Sequence, residues 1–199
     1  MYRWFAAIVL VSAIGISGFY RRRARLSGEV IARRREGGLL IFGRAVIAVP
    51  LFLSVLAWIV NPAWMAWAAF GAPAWLRNAG VGLGALAIPL ARWVFSSLGR
   101  NVSETVLTKR DHALVTTGPY RWIRHPLYLT GVMVFASIGL MAANWFVLMM
   151  ALLTLFGVLV IVIPREESAL VEKFGDTYTA YRARTGRLLP RLSGTGSPP

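Results

Sequence analysis

Residues 127–167 read LYLTGVMVFASIGLMAANWFVLMMALLTLFGVLVIVIPREE. Two apolar runs, Leu127–Ala143 and Trp145–Ile163, are separated by Asn144 alone and followed at once by a proline, an arginine and two glutamates. A helix rises 1.5 Å per residue, so roughly 20 apolar positions cross about 30 Å of bilayer hydrocarbon. The spacing predicts two antiparallel membrane helices in a tight hairpin, with both free ends returned to one face. Pro164 is expected to end the second of them.

Three more runs of this kind precede the hairpin: Tyr2–Tyr20, Leu39–Val60 and Ala79–Leu98. The composition agrees, with 57% hydrophobic and 15% charged residues where ordinary soluble domains carry about 25% charged. The expected fold is all-α and integral to the membrane, with five transmembrane helices. The first run is read as a retained helix, because no small-residue cleavage pattern follows Tyr20 and the arginines come after the apolar stretch. With no cysteine and only two histidines, disulfides, thiol nucleophiles and metal centres are excluded or disfavoured.

The net charge of +14 is unevenly placed. Seven basic residues lie between Arg21 and Arg35, five between Arg100 and Arg124 and six between Arg165 and Arg191, against Arg3 and Arg77 alone in the other connections. Cytoplasmic loops carry the excess of Lys and Arg, which predicts an outer N-terminus, an inner C-terminus and an active site facing the cytoplasm. Arg44 and Arg92, each near the inner end of a span, are read as snorkelling. The Arg21–Arg35 run points to anionic lipid headgroups rather than nucleic acid. Asn61–Arg77, with Trp64, Trp67 and Trp75, reads as an outer interfacial segment. Gly82–Ala87 matches a dinucleotide-binding pattern only formally, because it lies inside an apolar helix; its glycines suit close helix packing instead.

The chain thus divides into membrane helices at 1–98, a polar loop with hairpin and tail helix at 99–192, and a Gly/Ser/Pro tail at 193–199 expected to be disordered. The loop Gly99–Tyr128, GRNVSETVLTKRDHALVTTGPYRWIRHPLY, is dense in polar groups. Pro119 and Pro126 bias Gly118 and His125 away from helix, and the backbone groups left unpaired need water, protein or a ligand as partners. Glu166 and Glu167 repel each other and call for a cation: Arg124, Arg165 or a ligand amine. The hairpin should bring Arg124-His125-Pro126 and this acid pair into one site. Beyond it, Leu170, Phe174, Tyr178 and Tyr181 form an amphipathic stripe expected to lie on the membrane surface as a lid, broken at Gly175.

The pattern T-G-P-Y-R-W-I-R-H-P-L-Y-x-x-G, a spanning hairpin, E-E and then F-G-x-x-Y-x-x-Y resembles the isoprenylcysteine carboxyl methyltransferase family, and related phospholipid methyltransferases share the outline. The resemblance covers about Leu98 to Pro190 and implies an integral-membrane enzyme that uses S-adenosylmethionine. It implies cofactor contacts at His112, Ala113, Leu114, Val115, Tyr120, His125, Pro126, Leu127, Tyr128 and Glu166. In the family's eukaryotic branch an arginine four residues before that glutamate is assigned to the substrate. Here Val162 stands in its place, which leaves Arg165, with Glu167, as substrate-side candidates.

The residue chemistry is compatible with that cofactor. One acid and nearby donors suit its amino-acid end, and Tyr120 and Tyr128 can face a sulfonium or, equally, anchor at the interface. A carboxylate or thiolate acceptor needs no base, whereas an amine or phenol would need one, with Glu167 or His112 the candidates. The expected activity is methyl transfer to a lipophilic acceptor, a small molecule or a prenylated or lipid substrate, with carboxyl O-methylation first. A sterol-reductase-like enzyme using a reduced nicotinamide shares an arginine–histidine–proline region and is the alternative enzyme class; a non-catalytic lipid-binding membrane protein is the other.

Overall fold

Asn144 makes the hairpin. It caps the N-terminus of one helix by accepting from the Val147 N–H (3.1 Å) and donates through Nδ2 to the Met65 carbonyl (3.1 Å). Ala143, at φ +50, turns the chain in the left-handed region that ends the preceding helix. The turn is pinned from outside as well, since the Phe70 N–H bonds the Ala143 carbonyl at 2.9 Å. Asn144→Ala is expected to cost about 0.5–2 kcal/mol in thermal unfolding, the usual range for a lost cap, and Asn144→Asp should cost more, because at this buried position it sets an oxygen against the Met65 carbonyl where the amide donated.

The structure, a computed structural model, describes residues 1–26, 38–99 and 113–191. His112, the basic run beyond Leu26 and the tail Ser193–Pro199 lie outside them. The described helices are α1 (Tyr2–Leu26), α2 (Gly38–Val60), α3 (Ala74–Leu98), α4 (Pro126–Ala142), α5 (Trp145–Gly157), α6 (Ile163–Phe174) and α7 (Asp176–Arg184), with short 3₁₀ segments at Pro62–Ala68 and Gly118–Arg121.

α3 lies against α4 at very short range. A Cβ on Gly80 would meet Leu140 Cβ, Met141 N and Ser137 O, each at 2.9 Å, and one on Gly84 would meet Val9 Cγ2 of α1 at 2.8 Å. Gly82, between them, faces open space. Close packing is therefore the role of Gly84 in the Gly82–Ala87 motif, and of Gly80 just before it. α1 packs on α3 and α4, and α2 on α5. The main core gathers toward the hairpin tip, around Val9, Leu51, Val55, Ile138, Met141 and Val147.

The outward faces are apolar: Ile8, Phe42, Leu53, Leu86, Leu152 and Phe156 are all exposed. An apolar surface of this extent suits lipid, and among the described residues four helices are long and apolar enough to cross a membrane, with α4 a shorter apolar helix. The protein is a multi-pass membrane protein.

Pro164 does not end the second hairpin helix. α5 and α6 form one helix, Trp145–Phe174, of 30 residues, because a π-turn at Val158–Val162 precedes the proline. The Ile163 N–H reaches back to Val158 O, and the widened turn removes both the missing-donor problem and the ring clash that a proline creates in α geometry. At about 45 Å this helix is longer than the hydrocarbon layer. Its apolar part stops at Ile163, and Arg165, Glu166, Glu167, Glu172 and Lys173 all follow it.

The tail helix does break at Gly175, whose φ is +53. Tyr178 and Tyr181, however, do not lie on an outward stripe. They are 1% and 3% exposed, turned inward under the loop that precedes α4.

Candidate active site

The loop entering α4 is positioned by glycine and proline. Gly118 sits at φ +60, where a Cβ would collide with Ser97 Oγ and come within 3.3 Å of Trp93 Nε1, so the turn docks directly on the end of α3. His125, at φ −125 and ψ 53, is non-helical, and Pro126 starts α4. The backbone groups that this irregular stretch would leave unpaired are taken by the chain's own tail. The N–H groups of Arg124 and His125 donate to the carbonyls of Gly186 (2.8 Å) and Arg187 (3.0 Å), and the Gly186 N–H donates to Trp122 O (3.1 Å).

Arg124 ties the tail to the acid pair. Its Nε donates to Glu167 Oε1 at 2.8 Å, while Nη1 donates to the Arg182 carbonyl at 3.0 Å and to the Thr185 carbonyl. Of the candidate cations, Arg124 is thus the partner of Glu167; Arg165 is exposed. Arg187 Nη2 adds a weaker pairing to Glu167 Oε2 at 3.7 Å. Burial alone would raise the Glu167 carboxyl, but hydrogen bonds from His125 and Arg124, with their charges, outweigh it and hold it at about 2. Glu167 is a fixed, buried anion that its partners occupy.

Glu166 differs. Its side chain is 30% exposed, and the Tyr128 hydroxyl donates to Oε2 at 2.9 Å, which leaves Oε1 outside these contacts. His125 lies between the two acids, with Nε2 at 3.2 Å from Glu167 Oε1 and Nδ1 at 3.6 Å from Glu166 Oε2. Its ring stacks with that of Tyr128, centroids 5.9 Å apart. Tyr120 is buried, and its hydroxyl is held well above the ordinary phenol range by that burial first and by the charge of Glu166 second. Its carbonyl accepts from the Tyr181 hydroxyl at 2.6 Å, and burial pushes the Tyr181 phenol up to about 12.

The structure therefore brings Tyr120, His125, Pro126, Tyr128, Glu166 and Glu167 to one end of the bundle. Leu127 turns to another cluster, with Ala24 and Phe95. Ala113, Leu114 and Val115 run as irregular chain toward the 3₁₀ turn, exposed at Ala113 and half-buried at the other two. Val162 is buried against Tyr128 and Val158. Sequence reasoning missed the roles of Thr185 and Gly186, which no pattern marks, and the inward turn of the two tyrosines, for which the Y-x-x-Y spacing was the available signal.

A family model described as phospholipid methyltransferase matches residues 75–177, just over half of the 199 residues. The chain belongs to the phospholipid methyltransferase family. Among its relatives, the protein-S-isoprenylcysteine O-methyltransferase of Schizosaccharomyces pombe is 35% identical over 97 residues, 47% of this chain and 41% of the relative. That of Tribolium castaneum is 32% identical over 124 residues, covering 60% and 43%. The nickel-cobalt-cadmium resistance protein NccN of Alcaligenes xylosoxydans xylosoxydans is 30% identical over 121 residues, covering 60% and 54%. A solved structure of the eukaryotic intramembrane Ras methyltransferase, isoprenylcysteine carboxyl methyltransferase, matches with a TM-score of 0.54 at 27% identity, over 76% of this chain and 53% of that one. The chain spans about half the length of the relatives it matches.

The phospholipid methyltransferase match takes in α3, the proline-rich turn, the hairpin and the acid pair, and stops at Thr177. The family is one of integral-membrane methyltransferases and implies S-adenosylmethionine as cofactor. The donor set fits that molecule: a partly exposed carboxylate with one oxygen outside the tyrosine contact and able to take an ammonium, beside aromatic rings that suit a sulfonium.

Proposed function

We propose that the chain is an S-adenosylmethionine-dependent methyltransferase acting on a lipophilic acceptor. Methylation of the carboxyl group of a prenylated cysteine is the acceptor chemistry that the isoprenylcysteine relatives favour. The observation that carries the proposal is the convergence of Tyr128, His125 and the Glu166–Glu167 pair in one place from opposite ends of the hairpin. The contacting residues are read as Tyr120, His125, Pro126, Tyr128 and Glu166, with Ala113–Val115 and His112 nearby in sequence. Counting α4 as a crossing gives five, with the N-terminus outside and the site at the cytoplasmic face, in keeping with the arginine distribution.

When bound, the cofactor supplies an electrophilic methyl group on a sulfonium, whose charge disappears on transfer. Glu166 Oε1 would hold the ammonium, and the Tyr120 and Tyr128 rings would favour the positive charge before transfer. The tail is strapped over the turn by Gly186 and Arg124, and an acceptor oxygen shielded from water beside it would be the more reactive for that desolvation. A carboxylate acceptor has no proton to lose, so Glu167, already committed to Arg124 and His125, is not needed as a base.

Membranes holding the protein, incubated with methyl-labelled cofactor and extracted, should carry label in a base-labile ester fraction. Glu166→Gln should lower that signal about 10- to 100-fold, the equivalent of one charge-assisted hydrogen bond. Label absent from every protein, lipid and volatile fraction would overturn the proposal; label in a lipid amine would overturn the choice of acceptor.

A further inference from the structure

Among the described residues, one buried side-chain polar atom has no hydrogen-bond partner, the hydroxyl of Tyr178. Buried polar groups are nearly always paired, and an exception asks for a ligand or water. One turn further along α7, Tyr181 lies with its ring centroid 6.0 Å from that of Tyr178, but its hydroxyl is bonded to the Tyr120 carbonyl. The same helix face thus holds one phenol that is part of the scaffold and one that is not.

Arg124 bridges Glu167 to the carbonyls of Arg182 in α7 and Thr185 at its end, which brings the helix that carries Tyr178 to the acid pair, and Glu167, Arg124 and Glu166 are the charged groups that act on the phenol. Burial, the largest influence, with the two carboxylates, raises its pKa, so the phenol keeps its proton at neutral pH and can donate. Glu167 is taken by Arg124, His125 and Arg187, and Glu166 Oε2 by Tyr128; Glu166 Oε1, the oxygen left over, is the one that the cofactor's ammonium would use. A ligand that presents an ammonium to Glu166 and carries a carboxylate on the same carbon would supply the missing acceptor.

We infer that the Tyr178 hydroxyl donates to the carboxylate at the amino-acid end of the bound cofactor, pairing with Glu166 to recognise a zwitterion. The inference rests on the cofactor reading above, and it adds a binding residue just beyond the segment matched by the family model.

Tyr178→Phe removes one oxygen and keeps the ring. The full chain, purified in detergent, is tested in three ways: thermal unfolding without ligand, calorimetry with S-adenosylhomocysteine, and calorimetry with 5′-methylthioadenosine, which lacks the amino-acid end. The expected results are an unliganded Tm unchanged or raised, S-adenosylhomocysteine bound about tenfold more weakly, and methylthioadenosine bound equally by both proteins. Equal S-adenosylhomocysteine affinity, with or without a lowered Tm, would make the hydroxyl structural and overturn the inference. Equal weakening for both ligands would place Tyr178 at the nucleoside and overturn it too. Failure of the unaltered protein to bind S-adenosylhomocysteine would instead overturn the cofactor reading on which the inference rests.

Discussion

Arg124→Met is expected to cost about 3–5 kcal/mol of stability, the range for breaking a buried ion pair from one side. The side chains of Arg124 and Glu167 are 8% and 5% exposed, so removing the guanidinium leaves a desolvated carboxylate with only His125 and the longer Arg187 contact. It also leaves the Arg182 and Thr185 carbonyls without their donor, which loosens the tail from the turn. Cofactor binding should be lost along with the stability. Adding Glu167→Met should restore much of the stability, because a buried pair replaced by apolar groups of similar volume is often neutral, but not the binding. Denaturant unfolding of both variants checks this: a single-variant loss below about 1 kcal/mol, the value of an exposed pair, or a double variant no better than the single, would contradict the geometry.

Gly80→Leu should have the next largest effect. Two of the three atoms that a Cβ would strike at 2.9 Å, Met141 N and Ser137 O, belong to the α4 backbone and cannot turn aside as a flexible side chain would. α3 must then separate from α4, at about 1–3 kcal/mol or more for overpacking. Gly82→Leu is the control, since that position opens onto empty space, and it should lie within about 0.5 kcal/mol of the parent. Thermal unfolding in detergent distinguishes them; equal Tm values for the two variants would mean that α3 and α4 are not in close contact.

The hairpin was legible because a single asparagine between two long apolar runs allows little else, and the meeting of the His125 turn with the acid pair followed from it. The break at Gly175 was legible for the same local reason. Pro164 misled, because the rule that proline ends a helix takes no account of a π-turn just upstream. Tyr178 and Tyr181 misled differently: a four-and-three spacing marks an apolar face but does not say whether lipid or protein covers it. The strap of Thr185–Arg187 over Trp122–His125 left no signal at all, since two short irregular segments pairing through their backbones have no periodicity. Arg124 was one of three candidate cations for the acid pair, and only the packed structure selects it.

Tyr128, His125 and Glu166 are proposed to form one cofactor pocket, and calorimetry with S-adenosylhomocysteine on the purified chain tests it most directly. The prediction is saturable one-to-one binding, weakened about tenfold or more by Glu166→Gln and unchanged by Glu172→Gln, an exposed acid on the same helix. No saturable binding, or equal affinity in the Glu166→Gln protein, would contradict it.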